Sequence, residues 1–324
     1  MNKFLLTTLS LLTVSAVQAS GTDNFPNQPL KIVVPYAAGG GTDIMARQVG
    51  RALSEVVKQP VIIENRPGAG TSIGATAVTN SNANGYTLLW GDNATYATNT
   101  ALYKNLSYDP VKSLRPVSTV LTGSLVLSVN KNLPANNIKE FIEYAKLNPQ
   151  TMSYGTAGNG TPHHLMMEAL KLASDNINIV HIPYQGEGPA MQDLVGGQLQ
   201  TMFSGARLAS AQSKDGKIKV LAASGKERNQ ILPDIPTISE SGLPDFAYEY
   251  WHGISVPAGT PDAIVNKLNA ALTTTLANKE LVDWIATTSG AYLRSSTPEE
   301  MAEKIKEDIA KSKDLVTKIG LSLD

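Results

Sequence analysis

The chain has 324 residues, a formal net charge of −1, 6% aromatic residues and no cysteine. This balance offers no basic excess to attract nucleic acid, and no basic stretch is interleaved with aromatics. Without cysteine, disulfides are excluded and a lipoprotein anchor is not expected; no stretch is long and apolar enough for a comfortable membrane span.

Residues 1–19 read as a secretory signal peptide. Lys3 supplies the positive start, Phe4 to Val17 is mostly apolar, and Val17 and Ala19 are small residues at the −3 and −1 positions before Ser20. Removing that segment takes away Lys3 and no acid, so the net charge passes from −1 to −2. The exported remainder, expected in a bacterial periplasm, is long enough for two domains.

Leu30 to Pro35 is a predicted strand, followed by the loop Tyr36-Ala37-Ala38-Gly39-Gly40-Gly41 and a helix from Thr42 to Val57 with Ile44, Val49, Leu53 and Val57 on or near one face. Val61 to Glu64 is a second strand. It leads into Asn65-Arg66-Pro67-Gly68-Ala69-Gly70 and a short helix of small residues, Ser72 to Asn80. Tyr86 to Trp90 is a third strand, and the βαβαβ rhythm predicts a parallel sheet with helices on both faces. Glycines let a ligand approach the backbone, and a helix N-terminus offers unpaired N–H groups with a partial positive charge. Two such loops suit an anion, most economically a carboxylate; each is also what a plain tight βα turn looks like.

Leu125 to Val129 is the next strand. Asn137, with Glu140 in the capping-box position, starts a helix from Ile138 to Asn148. Ser153 to Gly155 is a short strand feeding a third glycine loop, Thr156 to Pro162, and a helix from about His163 to Ser174. Asn178 to Ile182 is a strand, Pro183 to Gly188 a fourth loop, and Pro189 to Gly196 a helix. Thr201 to Phe203, Val220 to Ala223 and Gly253 to Val256 are further strands. The chain closes with helices over Pro261 to Ala277, Lys279 to Ser289 and Pro298 to Gly320, the last capped by Thr297 with Pro298 at its first position. These helices are expected to pack back on the first domain.

Several constellations admit both a chemical and a structural reading. Gly70-Thr71-Ser72-Ile73-Gly74 matches the serine-hydrolase pattern, but Asn65 to Ala69 separates Ser72 from the strand that a nucleophile elbow needs. A metal is not expected: His163 and His164 are adjacent, so on a helix they diverge by about 100°, while His181 and His252 lie in other predicted strands with no ligand-spaced partner. His163 is read instead as a donor to a ligand or a local cap. A dinucleotide site would want glycine at positions 44 and 73, which are Ile44 and Ile73, and no Walker sequence exists, so no cofactor is expected. Asp43 is read as a helix cap or a ligand contact. Arg66 and Arg207 are electrostatic candidates for an acidic ligand or surface residues. Tyr36 and Tyr184 each follow a strand and proline, as pocket walls or core, and Trp251 is expected between the domains.

Read together, the segments Lys31 to Tyr36 with Gly39 to Asp43, Glu64 to Gly70, Asn84 to Leu89, Tyr108-Asp109-Pro110, Gly155 to Thr161, His181 to Tyr184, Leu232 to Thr237 and Pro257 to Pro261 resemble the Bug family of periplasmic solute-binding receptors of tripartite tricarboxylate transporters. The resemblance runs from about Pro29 to Asp324. It implies a two-domain α/β clamp of the type II periplasmic binding-protein kind, with parallel or mixed sheets and strands crossing a hinge. Residues 20–125 and 247–324 would form a discontinuous first domain and 126–246 the second. It implies a non-enzymatic, monomeric receptor that passes a small carboxylate (a di- or tricarboxylate, acidic amino acid or aromatic acid) to membrane transporter subunits or a sensor protein. The ligand residues it implies are Tyr36, Gly40, Gly41, Thr42 and Asp43; Gly70, Thr71 and Ser72; Asn93 and Thr95; Ala157, Gly158, Asn159, Thr161 and His163; and Tyr184, Gln185 and Arg207. The chain departs from the family pattern at Gln185 and Glu187, where a Lys or Arg is frequent after the His-x-Pro-Tyr run. It departs again at Ser204 to Arg207, where an Asp or Asn is frequent. The alternatives are a carboxylate sensor without transport, or a hydrolase using Ser72.

Overall fold

The computed structural model describes residues 24–322, so the signal-peptide segment lies outside the described residues. The chain opens with β1 (Leu30–Val34), α1 (Gly41–Val57), β2 (Val61–Asn65), α2 (Ser72–Thr79) and β3 (Thr87–Asp92). β1 is buried on both faces from Ile32 to Val34, as its apolar run requires of a central parallel strand, with Lys31 half-buried near its start, and it pairs in parallel with β2 and β3. A π-helical turn, Ala94–Thr98, then runs into α3 (Asn99–Leu102) and the long strand β4 (Leu114–Gly123).

Only Ser124 separates β4 from β5 (Leu125–Asn130), which lies in a different sheet. There follow α4 (Ile138–Leu147), β6 (Ser153–Thr156), α5 (Pro162–Ala173), β7 (Val180–Pro183), α6 (Glu187–Gly196), β8 (Thr201–Gly205), α7 (Ala206–Lys214) and β9 (Ile218–Ala223). The chain returns through β10 (Tyr250–Pro257) and ends with α8 (Asp262–Leu276), α9 (Lys279–Ser289), β11 (Tyr292–Leu293) and α10 (Pro298–Ile319). α10 starts on a complete capping box between Thr297 and Glu300, and the Asn137 side chain accepts from the Glu140 N–H at the start of α4.

The strands form a six-stranded sheet of order β11-β4-β10-β3-β1-β2 and a five-stranded sheet of order β7-β6-β8-β5-β9. The parallel expectation holds for β1, β2 and β3, and for β6, β7 and β8. β10 runs antiparallel to β3 and β4, and β5 antiparallel to β8 and β9, so both sheets are mixed. The reason is positional. β10 enters from the second sheet at the edge where β3 ends, His252 opposite Asp92, and can only run the other way.

The closing helices pack on the first sheet: α8 against α1 and β4, α10 against β4 and α3. Trp251, expected between domains, belongs wholly to the first. It stacks on Tyr96 with centroids 5.3 Å apart and donates from Nε1 to Asp308 Oδ2 on α10 at 2.6 Å.

Candidate functional site

The first glycine loop leaves β1 and enters α1 through Gly40, whose backbone is extended and which provides no side-chain cap. Asp43, in the first turn, faces backward into the loop. Its Oδ2 accepts from the Gly39 N–H at 2.8 Å and Arg47 Nε at 2.9 Å, and its Oδ1 from Asn65 Nδ2 at 2.9 Å. Asn65 Nδ2 also donates to the Tyr36 carbonyl at 3.0 Å. Burial would raise the carboxyl pKa of Asp43, but the hydrogen bonds from Arg47, Gly39 and Asn65 outweigh it and hold it below its ordinary value. Asp43 therefore fastens the loop, and the first N–H groups of α1 are left without an acidic cap. Arg47 and Asn65 were not singled out from the sequence; the one-turn Asp43–Arg47 spacing was the available signal.

The second loop is wound tightly. Gly68, Ala69, Gly70 and Thr71 all have positive φ, at 123°, 45°, 56° and 82°. For a β-branched residue such as Thr71 this is a strained conformation. Asn99 holds it, Nδ2 donating to the Gly70 carbonyl at 2.7 Å and lying 3.2 Å from Thr71 Oγ1. Gly74 allows α2 to press on β1's exit, since a Cβ there would stand 2.8 Å from Pro35 Cβ. Ser72 opens α2, and its buried Oγ has no hydrogen-bond partner.

The two loops meet at Asp92, the buried last residue of β3. Tyr36 Oη donates to Asp92 Oδ2, and Oδ1 accepts from the Thr95 N–H at 3.1 Å and from Thr95 Oγ1 at 3.0 Å. Thr95 Oγ1 is also 3.0 Å from Thr71 Oγ1. Thr71 Oγ1 accepts from Asn99, and the Thr95 hydroxyl has two acceptors within reach of its proton, Asp92 Oδ1 and Thr71 Oγ1. Burial and then the Asp92 charge push the Tyr36 phenol well above its ordinary pKa, so it stays a donor. Asn93 uses its Oδ1 to accept from the Trp251 N–H at 2.8 Å, tying β3 to β10. Arg66 is paired with Glu64, which also binds Lys31.

In the second domain, Thr156 and Thr161 fold the third loop on itself. Thr161 Oγ1 donates to the Gly158 carbonyl at 2.8 Å, and Thr156 Oγ1 is 2.7 Å from His181 Nε2. The loop touches the first domain at Gly160, where a Cβ would stand 2.5 Å from Leu102 Cδ1. The adjacent histidines diverge as expected. His163 Nε2 faces Glu187 Oε2 at 3.5 Å, and its buried Nδ1 has no partner. His164 turns into the core, where it stacks on His181 at 3.9 Å and accepts from the Gly160 N–H at 3.1 Å. Among the described residues no group of three metal-ligating side chains occurs. Tyr184 directs its hydroxyl to Asp193 at 2.6 Å. Asn159, Gln185 and Arg207 are exposed and Ala157 half-buried. α6 begins two residues earlier than the sequence suggested, which places Glu187 in its first turn, facing Gly41 of the first domain.

Burial, helped by the neighbouring His181 and Lys171, lowers the pKa of His164 from 6.5 to about 3. Burial outweighs the opposing carboxylates and lowers those of His181 and His252 to about 4. All three are neutral when folded, whereas the unfolded chain protonates them below its ordinary value. Stability is therefore expected to be complete above pH 6.5 and to fall as pH drops toward 4. Urea midpoints measured across that range test this; a flat profile would count against it.

A profile of the tripartite tricarboxylate transporter family receptor matches residues 45–321. The protein BugT of Bordetella pertussis is 31% identical over 314 residues, which span 97% of this chain and 96% of that one. Among solved structures, the periplasmic binding protein BugD superposes with a TM-score of 0.84 at 35% identity, covering 92% of this chain and 99% of that one. MatC from Rhodopseudomonas palustris, solved with bound malate, gives a TM-score of 0.82 at 32% identity, covering 90% and 100%.

Proposed function

We propose that this chain, which belongs to the tripartite tricarboxylate transporter receptor family, is a periplasmic receptor that captures a small carboxylate between its domains and hands it to membrane subunits of such a transporter. The observation that carries the reading is Ser72. Its hydroxyl is buried and unpartnered at the N-terminus of α2, beside a loop held in strained geometry. A carboxylate there would take the Ser72 hydroxyl and N–H groups of the first helical turn beyond Ser72, whose own N–H is used by the Ala69 carbonyl, with the helix dipole in its favour. The malate bound by the related MatC has the same chemistry. Gly40, Gly41 and Thr42 are proposed to contribute the α1 N–H groups, and Tyr36, Gly70, Thr71, Asn93 and Thr95 the wall behind them. The third loop, Ala157, Gly158, Asn159, Thr161 and His163, with Tyr184, Gln185 and Arg207, is proposed to close from the second domain. The proposed domains are residues 20–125 with 247–324, and 126–246, with the hinge at Ser124 and at the chain's return into β10. The ligand must bind the closed form better for closure to carry a signal.

We assign no catalytic step and no cofactor. Among the described residues no histidine is hydrogen-bonded to Ser72, and its position after a helical turn differs from a strand-ended nucleophile elbow. Residues 1–19 are proposed to be the export signal, and the mature receptor to act as a monomer.

A thermal-shift screen of the mature protein against di- and tricarboxylates, amino acids, aromatic acids and neutral sugars tests the reading. A ligand at 100 times its Kd adds about 2.7 kcal/mol of stability, equivalent to roughly 5 °C or more in Tm for a protein of this size. A shift with neutral sugars and none with acids, after unfolding to strip any carried ligand, would overturn it. Ser72→Ala should separate binding from stability. It removes a hydroxyl that has no partner, so Tm should hold or rise. It also removes a bond to a charged ligand, so affinity should fall by about 10-fold or more. An unchanged Kd by titration calorimetry would remove Ser72 from the site.

A further inference from the structure

Glu187 sets a carboxylate where the second domain meets the first. Elements from both domains converge on it. It opens α6 after Gly186, whose φ is 126°. Its Oε2 accepts from the Gly205 N–H at the end of β8 at 2.9 Å and faces His163 Nε2 on α5 at 3.5 Å. Its Oε1 takes no hydrogen bond from the described residues and lies 3.8 Å from where a Cβ on Gly41, the first residue of α1, would stand. Its charge reaches Tyr250, where β10 begins, and adds to burial in raising that phenol's pKa. The side chain is only 26% exposed. Burial would favour the protonated acid, but the facing His163 imidazole and the Gly205 N–H outweigh it and hold the carboxyl below its ordinary pKa, so Glu187 remains ionised. Arg207 begins two residues beyond Gly205, yet it is exposed and no ion pair joins it to Glu187. The acceptor Oε1 thus lies between the domains, 3.4 Å from where a Cβ on Gly205 would stand and 3.8 Å from that position on Gly41, and the buried Nδ1 of the neighbouring His163 is also unpartnered.

We propose that the ligand is a carboxylate whose other end presents an N–H donor, an ammonium or a carboxamide, to Glu187 Oε1. The inference rests on the proposed carboxylate reading of the Ser72 end and adds which acids are selected. A diacid would set its second carboxylate against Glu187, and like charges brought together in a desolvated cleft are strongly disfavoured. An N–H group in the same place gains a charge-assisted hydrogen bond.

The test is titration calorimetry on the mature wild-type protein with matched series of two chain lengths: succinate, succinamate and γ-aminobutyrate, then adipate, its monoamide and ε-aminocaproate. In at least one series the nitrogen-bearing acid is expected to bind roughly 100-fold tighter than the diacid. Glu187→Gln should narrow that gap by about 10-fold or more, chiefly by strengthening the diacid and weakening the ammonium ligand. An amide ligand that tolerates the substitution marks a carboxamide end, and an amine that is lost marks an ammonium end. Both support the inference. If the diacid binds wild type as tightly as its amide and amine, the inference fails and the carboxylate receptor stands. If none of the six binds, the inference fails, and the wider thermal-shift screen decides the carboxylate reading separately. The wild-type comparison needs no variant, so misfolding of the substituted protein leaves the test intact.

Discussion

Replacing Asp92 by alanine is expected to lower stability by about 3–5 kcal/mol and to abolish the ligand response. Asp92 is 2% exposed. Its two oxygens accept from the Tyr36 hydroxyl, the Thr95 N–H and the Thr95 hydroxyl. Removing the acceptor strands these donors in a site that water does not easily enter, and an unsatisfied buried donor costs more than an average hydrogen bond contributes. The binding loss follows from the same row. Thr71 is held at φ 82° through Thr95 and Asn99, and once Thr95 is released the strained turn before Ser72 relaxes. Tyr36→Phe removes one donor and leaves the other two bonds, so it should cost only about 1–2 kcal/mol. Urea midpoints at constant m value measure both. A loss under about 1 kcal/mol for Asp92→Ala would show that the stranded donors find other partners.

Trp251→Ala is expected to cost about 3–5 kcal/mol, the range for large aromatic deletions in a core. The ring is 1% exposed, stacks on Tyr96 at an interplanar angle of 7°, and lies under Lys304 at 5.1 Å. Its indole N–H reaches Asp308 on α10 at 2.6 Å. The side chain therefore joins β10, the π-helical turn and the last helix, three elements distant in sequence. Trp251→Phe keeps an aromatic face and loses the N–H, so roughly 1–3 kcal/mol is expected. Equal losses for Ala and Phe would mean that the Asp308 bond, not the stack, dominates. Because the Trp251 backbone N–H, not its side chain, meets Asn93, the Phe variant should retain ligand binding.

The elements found from sequence are those with local signals. The apolar run of β1 and the glycine loop before α1 were visible, as were the box at Thr297 and Glu300 and the cap at Asn137. β4 was missed because Pro116 and the polar Ser118, Thr119 and Thr122 interrupt its apolar pattern; β10 on one side and β11 on the other make it a strand. β11 has two residues and no pattern to find. The π-helical turn at Ala94–Thr98 has no periodic pattern in its sequence; its structure comes from Asp92 and Tyr108, Tyr108 Oη donating to the Thr95 carbonyl at 2.6 Å.

Within the site, glycine spacing identified the loops but not their occupants. Asp43 reads from the sequence as a cap or a ligand contact; Arg47 on α1 and Asn65 on β2 both hydrogen-bond its carboxylate, an arrangement its local sequence does not announce. Asp92 and Asn99 were not singled out, because a lone acid at a strand end and an asparagine in a polar run carry no spacing signal.

The sequence by itself determined the α/β class, the glycine loops, most of the helices and the family resemblance, since each depends on residues near one another along the chain. Only the tertiary structure decided that both sheets are mixed, that Asp92 joins two loops, and that Glu187 on one domain faces Gly41 on the other. These depend on where strands enter a sheet and on contacts between residues far apart in sequence, which no local pattern records.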